Sequence, residues 1–386
     1  MDLAKDGAWE TVLKEFPEIQ VERIQSDGVY FRLFGKEFFL YTRRLVNPEG
    51  RPYILVRDDQ EIDHPHVLLK SFSFPTNDKE HAETRYRSVC LYQEGIIVWF
   101  IMSAIEKVRD ILSRLTRLFS MNSREQEYEF QKEFTYYWRQ ASKGRFVSIF
   151  LSQEDLCTLL NRWINKKAYY AAPDMQYLRH MDRDAGWRHD VGVDAVYIPI
   201  SDPRGILPPH KKYKWTPATI QEIVSAWKIA HITDDTYQYL KDTSVSSNRL
   251  LLVLGMKLGE QKIFCGIRLQ CKSLLEKLTE DVQQIEYVNV DRLDYRWLCE
   301  QNGNDYALTD KKVLLIGAGS LGSYVAMELA KTGVRNLTIY DGDVLEPVNT
   351  VRWADGSQGI RANKARLLER MLKAQYPELQ VKGVES

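Results

Sequence analysis

A chain of 386 residues with 44% hydrophobic and 27% charged side chains has the make-up of a soluble globular protein. It is long enough for two or three domains, each burying its own core. Lysine plus arginine and aspartate plus glutamate balance at 53 each, which removes the electrostatic case for nucleic acid or an acidic membrane as the main partner. Cys90, Cys157, Cys265, Cys271 and Cys299 are scattered and never spaced C-x-x-C, which excludes a disulfide framework and a structural zinc site and points to a reducing compartment.

The opening MDLAKDGAWETVLKEF is charged and amphipathic and has no secretory hydrophobic region. Residues 4–16 predict a short helix ended by Pro17. The runs GVYFRLFG, EFFLYTRR and YILVRD, separated by turn signals such as NPEGRP, predict an antiparallel meander. A loop-like segment, EIDHPHVLLKSFSFPTNDKEHAETRYR, then leads into SVCLYQEGIIVWF. The apolar run from Gly95 is shorter than the roughly 20 residues a membrane helix needs, so a cytoplasmic location is expected. Helical patterns cover 101–119 and 123–140, the second opening on Ser123 with Gln126 three residues on, the spacing of a capping box. The aromatic EFTYYW within it reads as the buried face of a terminal helix.

Residues 143–305 mix strand-like runs (RFVSIFL, AVYIPI, RLLLVLG, KIFCGIRL) with the helical TPATIQEIVSAWKIAHI. The Pro- and Gly-rich SDPRGILPPHKKYKW reads as a loop. No catalytic constellation stands out, and the region is expected to space and orient its neighbours. Residues 306–386 have the strand–turn–helix–strand order of a βαβ unit. The fold class is therefore a multidomain α+β and α/β chain with boundaries at 1–142, 143–305 and 306–386.

The last region holds KKVLLIGAGSLG, a G-x-G-x-x-G loop entered by an apolar strand and left by a helix. Gly317 permits the tight turn, Gly319 lets the backbone approach a phosphate, and Gly322 allows helix and strand to pack closely. With Ser320 at the helix start, they form a phosphate cradle on a helix N-terminus. Asp341, at the end of the next strand, suits a ribose hydroxyl. This half of the motif fits NAD and ATP alike, with glycines used only for packing as the bland alternative. The downstream residues favour ATP: Asp341 and Asp343 continue as D-x-D-x5-N-x2-R to Asn349 and Arg352, and GIRANKARLL sets Lys364 on a helix. A dehydrogenase needs one acid for its ribose, whereas cations suit a triphosphate and the charge that develops as a carboxylate attacks the α-phosphorus.

This spacing resembles the ThiF/MoeB-like adenylation domain of ubiquitin-activating enzymes, over residues 308 to about 384. The resemblance implies that Asp341 binds ribose, that Asn349, Arg352 and Lys364 engage the phosphates with Arg352 also catalytic, and that Asp343 belongs to the nucleotide site. It implies ATP and Mg2+ as cofactors and a reaction turning a protein's C-terminal carboxylate into an acyl-adenylate. The bland alternative for Arg352 and Lys364 is solvated surface charge. The sequence stops at VKGVES, where a third strand is expected. The family's magnesium-binding Asp, completed sheet and acceptor cysteine would lie beyond it, so a partial Rossmann-like domain unable to adenylate alone is expected.

The N-terminal order of helix, meander, long loop with one cysteine and two helices, with DHPHVLL, RSVCLY and SREQEYEFQKEFTYYW, resembles the prokaryotic ubiquitin-conjugating families. By that resemblance Cys90 accepts the activated acyl group as a thioester. Arg85 and Arg87 precede it and are candidates to favour the thiolate; the competing reading makes SVCLY an ordinary core strand. The eukaryotic enzymes carry His-Pro-Asn near the cysteine, whereas this chain has His64-Pro65-His66. His66 and His81 are candidates to polarise or accept a proton near Cys90, the alternative being structural histidines; they are too few for a metal site.

The whole arrangement resembles the bacterial conjugating–activating fusion proteins of antiphage CBASS operons, similar in architecture to the autophagy activating enzyme: a ubiquitin-conjugating-like domain, a mixed α/β linker and an adenylation domain. That implies transfer of the C-terminus of a cGAS-like nucleotidyltransferase through a cysteine of the activating domain to Cys90 and on to an acceptor amine, with dimerisation through the adenylation domain. A different ubiquitin-like modifier pathway and a non-catalytic binding scaffold stay open; a dehydrogenase is the weakest contender.

Overall fold

The computed structural model describes residues 8–25, 28–42, 52–68, 70–73, 84–91, 102–151, 155–164, 169–172, 188–189, 194–230, 249–270, 285–301, 308–376 and 378–385. They divide into two compact units: Met1–Lys143 with Arg204–Lys214, and Gly144–Pro203 with Trp215–Ser386.

The first unit starts with helix α1 (Ala8–Leu13), the described part of the predicted N-terminal helix. The strands are β1 (Ile19–Gln25), β2 (Gly28–Leu33), β3 (Lys36–Tyr41), β4 (Tyr53–Arg57), β5 (Phe72–Ser73) and β6 (Arg85–Val89). They pair in the order β1-β2-β3-β4-β6-β5, every ladder antiparallel. The meander predicted from the three aromatic-rich runs is β2–β4. β1 gives a weaker signal: the alternation of Ile19 and Val21 in IQVERIQ is broken by a register shift between Val21 and Arg23, and Ile19 alone in the strand is buried.

One sheet face packs on α2 (Ala104–Phe119), which buries Val108, Ile111, Leu112, Leu115, Leu118 and Phe119. That is the i, i+3, i+4 stripe of an amphipathic helix. Ser103 caps it, accepting from the Glu106 N–H while the Glu106 carboxylate accepts from the Ser103 N–H. The second helical pattern is two helices, α3 (Ser123–Lys132) and α4 (Phe134–Ser142), broken at Glu133. Its capping box lies one residue earlier than predicted, between Asn122 and Glu125: asparagine caps as well as serine, and Ser123 is already helical.

Residues 204–214, within the loop read as part of the middle region, belong to the first unit. The His210 ring stacks on Phe130 with centroids 4.1 Å apart, its Nδ1 lies 2.7 Å from Asp63 Oδ2, and Asp63 also accepts from the Lys212 N–H. Burial alone would raise the Asp63 carboxyl; His210 and the N–H groups of Lys212 and Lys211 outweigh it and hold it below the usual range.

The second unit begins with β7 (Phe146–Ile149), β8 (Thr158–Ile164), β9 (Tyr169–Ala172), β10 (Arg188–His189), β11 (Asp194–Ile200), helix α5 (Pro217–Ala230), β12 (Arg249–Leu258), β13 (Gln261–Gln270) and β14 (Ile285–Arg292). The strand order is β10-β8-β11-β12-β13-β14-β7-β9, and β9 also pairs with β8. The ladder thus closes on itself around Val147, Ile149, Leu160, Tyr197, Leu251, Val253 and Val288. Tyr197 lies so close to Gly255 that a Cβ there would sit 2.2 Å from its hydroxyl.

Helix α6 (Tyr295–Gln301) leads into β15 (Lys312–Ile316), α7 (Ser320–Lys331), β16 (Asn336–Tyr340), α8 (Lys364–Gln375) and β17 (Gln380–Val384). The last three strands form a parallel sheet in chain order, and β17 is the third strand anticipated at VKGVES. Leu337, Ile339 and Val381 of the sheet pack against Ala326, Ala330, Leu368 and Leu372 of the helices. Glu378 accepts a hydrogen bond from the Tyr295 N–H, and the Tyr295 hydroxyl accepts from the Gly333 N–H at 2.9 Å, fixing α6 to this sheet. Among the described residues no helix is long and apolar enough to cross a membrane.

Candidate functional site: a glycine loop and an exposed cysteine

The glycine loop joins β15 to α7. Gly317 has φ +92, a left-handed conformation that favours glycine. At Gly322 a Cβ would lie 1.9 Å from the Gly317 carbonyl oxygen, so this glycine is required by the close approach of helix to loop. Gly319 differs from both: its φ is −75, and a Cβ would meet no atom within 4 Å. The protein itself does not demand glycine there, and the open space before a helix with no side-chain N-cap fits the approach of a phosphate. Ser320, exposed, is the first residue of α7.

Asp341 ends β16 and uses both carboxylate oxygens on backbone: Oδ2 accepts from the Ala318 N–H at 2.5 Å and Oδ1 from the Asp343 N–H at 2.8 Å. It thus couples the glycine loop to the D-x-D turn. Asp343, 78% exposed, forms a 3.0 Å ion pair with Lys364, whose side chain is only 10% exposed. An open groove runs along β15 and β16, lined by Lys312, Leu314 and Thr338, and reaches their C-terminal ends at Gly317, Asp341 and Asp343, the end at which open α/β sheets bind ligands.

Asn349 and Arg352 lie on a short 3-10 helix, Pro347–Arg352. The Asn349 side chain accepts from the Glu346 N–H at 3.2 Å, whereas the exposed Arg352 makes no hydrogen bond or ion pair among the described residues. The residue after it, Trp353, is 3% exposed and donates from Nε1 to the Ala318 carbonyl at 2.8 Å. The Ala354 N–H donates to Ser323 Oγ. These bonds anchor the end of the 3-10 helix against the glycine loop. Sequence reasoning missed Asn363: it caps α8 through the Arg366 N–H while its amide donates to the carbonyls of Asp341 and Asp343. An Asn directly before the helical run KARLLERML was the available signal.

In the first unit β6 stops at Val89, so Cys90 lies just past the strand and is exposed; SVCLY is not a core strand through the cysteine. The Cys90 N–H donates to the His66 carbonyl at 2.7 Å. His66 has φ +66, a conformation unfavourable for a side chain with a Cβ, and is held from two sides. Its N–H donates to the Tyr137 hydroxyl at 2.8 Å, and its Nε2 lies 3.2 Å from Glu129 Oε2. Burial would raise the Glu129 carboxyl, but the bonds and charges of Lys132 and His66 outweigh it and hold it low.

Tyr136, beside Tyr137 on α4, is half-buried, and its phenol is pushed up to about 12 by burial, with the nearby Cys90 and Glu133 adding to the shift. Within EFTYYW, Phe134, Tyr137 and Trp138 are buried as expected, and the Tyr137 hydroxyl reaches the His66 N–H. His64 is buried, stacks on Phe119 at 4.3 Å, and is driven by burial down to about 4. Arg85 and Arg87 serve the preceding loop: Arg85 donates to Ser71, and the buried Arg87 donates to the Ile62 and Gln60 carbonyls and pairs with Asp58. His81 and Cys271 lie outside the described residues.

Residues 299–386 match the ThiF family. A 71-residue stretch is 49% identical to the uncharacterized protein y4oA of Sinorhizobium fredii, covering 18% of this chain and 12% of that one. Over 151 residues the chain is 30% identical to the ubiquitin-like modifier-activating enzyme ATG7 of Saccharomyces cerevisiae, covering 39% and 24%. Over 102 residues it is 30% identical to the ATP-dependent ubiquitin transferase-like protein Cap2 of Pseudomonas aeruginosa, covering 25% and 19%. The chain thus spans less than a quarter of the length of these relatives, and its match to the ThiF family lies in the C-terminal region.

Proposed function

We propose that this protein is an ATP-dependent ubiquitin-like transferase that activates a protein C-terminal carboxylate by adenylation, relays the acyl group to Cys90 as a thioester and conjugates it to an amine. One observation carries the reading: the glycine loop is bound through Asp341 to the D-x-D turn, and a 3-10 helix carrying an unengaged arginine is anchored against that loop. The relatives named ATG7 and Cap2 support it.

In this reading α7 and the loop at Gly317, Gly319, Ser320 and Gly322 receive the phosphates, with Asn349, Arg352 and Lys364 supplying polar and cationic contacts. Asp341 has both oxygens on backbone N–H groups but keeps lone pairs for a ribose hydroxyl. ATP supplies the electrophilic phosphorus, and Arg352 neutralises charge as the carboxylate attacks. Mg2+ is proposed to accompany the nucleotide; no group of three or more His, Cys, Asp or Glu among the described residues is placed to hold a metal ion.

Cys90 is the proposed acyl acceptor, being exposed and fixed through its N–H to His66. The resemblance to CBASS fusion proteins makes the C-terminus of a cGAS-like nucleotidyltransferase the proposed donor, in bacterial antiphage defence, and a homodimer the proposed assembly. A ubiquitin-like modifier is the other donor class.

The test is intact mass spectrometry of the Cys90→Ser protein, co-expressed with its neighbouring genes and incubated with ATP. Serine traps the acyl group as a more stable oxyester. The expected result is an ATP-dependent adduct whose mass names the donor. Folded, ATP-binding protein without an adduct would reject the relay in favour of a scaffold.

A further inference from the structure

We infer, on the thioester reading above, that His210 is a positioning residue for Cys90. Residues 204–214 clamp the loop at Gln60 to His66 against α3, and so fix the turn whose carbonyl holds the Cys90 N–H. The acyl acceptor would then be completed by chain that follows the conjugating-like region in sequence.

Residues 204–214 belong to the first unit, although the chain on both sides of them belongs to the second. They are fastened to two elements. On the loop, His210 Nδ1 lies 2.7 Å and the Lys212 N–H nitrogen 2.9 Å from the same Asp63 oxygen, and Lys211 Nζ donates to the Gln60 carbonyl at 3.0 Å. On α3, the His210 ring lies flat on Phe130, with 4.1 Å between centroids and 11° between planes, and Gln131 Nε2 donates to the Ile206 carbonyl at 3.2 Å. The His210 and Asp63 side chains are 10% and 6% exposed. Asp63 is held ionised, and a carboxylate only accepts, so the ring nitrogen facing it carries the proton. A charge-assisted bond of this kind, shielded from water, is a strong tie.

Each residue held in this way stands beside a support of His66. Asp63 precedes His66 across His64 and Pro65. Phe130 follows Glu129, whose carboxylate lies 3.2 Å from His66 Nε2. Phe130 also meets the Tyr137 ring edge to face at 5.2 Å, and the Tyr137 hydroxyl accepts from the His66 N–H. Contacts therefore run without a gap from His210 through Phe130 and Tyr137 to His66, and from His66 to the Cys90 N–H. His66 has φ +66, and such backbone strain persists only where the surroundings over-determine it. With the clamp released, the loop and α3 can part, the turn relaxes and Cys90 moves.

The test uses the full chain carrying His210→Phe, which keeps a ring on Phe130 and removes the donor to Asp63. The protein is labelled with [15N]cysteine and [15N]leucine, and the Cys90 amide resonance is read against Leu33 and Leu40 of β2 and β3. A residue that only adds stability leaves native resonances in place; a positioning residue moves them. The Cys90 amide proton should shift upfield as its bond to His66 lengthens, with Leu33 and Leu40 unmoved. His210→Asn, whose amide can donate to Asp63, should return the resonance most of the way. In the Cys90→Ser trapping reaction, His210→Phe should slow adduct formation about tenfold or more and leave ATP–pyrophosphate exchange unchanged.

A Cys90 resonance that stays in place overturns the proposal, as does equal movement of Leu33 and Leu40, which would mark His210 as a general packing residue. An Asn variant no better than Phe, or an adduct formed at the undiminished rate, overturns it too. If the Phe variant does not fold, Gln131→Ala is the second probe. It removes only the bond at Ile206 and should give a smaller upfield shift at Cys90; no shift overturns the proposal. Failure of the thioester reading would show separately, as absence of any adduct with His210 intact, while the Cys90 resonance would still decide whether residues 204–214 set the turn.

Discussion

The glycine loop and the cysteine loop are held by opposite means. Around the glycine loop, the connections run between neighbours in sequence: Ala318 to Asp341 spans 23 residues and Lys364 to Asp343 spans 21, within consecutive elements of one βαβ unit. Around Cys90, the supports come from far along the chain: His66 to Glu129 spans 63 residues and His66 to Tyr137 spans 71. The first site is built from backbone N–H groups and close packing. The second hangs one strained residue from side chains of two later helices. The glycine loop should therefore tolerate no change in backbone packing, whereas the cysteine loop should respond in graded steps to the loss of single side-chain bonds.

The largest effect is expected at Gly322. A methyl there would sit 1.9 Å from a backbone carbonyl that has no flexible end to yield. Gly322→Ala should cost more than about 3 kcal/mol in urea-induced unfolding of the second unit. Unchanged stability would mean that the loop is not packed as described, and the contrast between the two sites would fail.

Next comes a pH effect confined to the first unit. Burial lowers His64 from 6.5 to about 4. A histidine depressed in the folded state contributes stability that is complete above its unfolded value and is lost as pH falls through 6.5 toward 4, because the unfolded chain takes up the proton first. The drop is at most about 3 kcal/mol. His64→Phe, which keeps the stacking on Phe119, should flatten that slope. An equal slope in both proteins would place the acid sensitivity elsewhere.

Tyr137→Phe should cost about 2 kcal/mol, since it leaves the His66 N–H without its acceptor in a residue whose left-handed turn depends on it. The diagnostic is amide exchange: the Cys90 N–H, bound to His66, should lose protection more than the core of β4 does. Uniform loss across the sheet would show a general packing defect instead.

The same contrast explains what was legible beforehand. The βαβ unit, the three glycines and the D-x-D turn could be read because each meaning is local: a strand enters, a helix leaves, and the spacing between them fixes the geometry. Even there Asn363 was missed, because its role appears only when α8 returns to the D-x-D turn. The meander of β2–β4 was legible from its apolar runs, but exposed β1 was not. The closed sheet of β7–β14 was illegible because closure depends on β9 pairing with both β7 and β8, which no local pattern encodes. Arg85 and Arg87 looked like partners for Cys90 by proximity in sequence, yet alternation along β6 and the burial of Arg87 turn them to the 58–71 loop. Tyr137 and Glu129 reach His66 through tertiary packing alone, and their sequence signature is that of any amphipathic helix.

The smallest effect tests whether the supports of His66 are separable. Glu129 and His66 are 18% and 21% exposed, and Glu129 is shared with Lys132, so the pair is partly screened and Glu129→Ala should cost only about 1 kcal/mol. Its meaning lies in coupling. If Glu129 acts through the His66 ring, removing it in a His66→Ala background should cost nothing further, and a double-mutant cycle should return a coupling of about 0.5–1 kcal/mol. Because its carboxyl is held low in the folded state, Glu129 contributes stability above the ordinary carboxylate range that fades as pH falls below it, and the coupling should fade with it. Additive losses would mean that Glu129 stabilises α3 through Lys132 alone. The turn at Cys90 would then rest on the Tyr137 hydroxyl, and the cysteine loop would resemble the glycine loop in depending on a single unyielding contact.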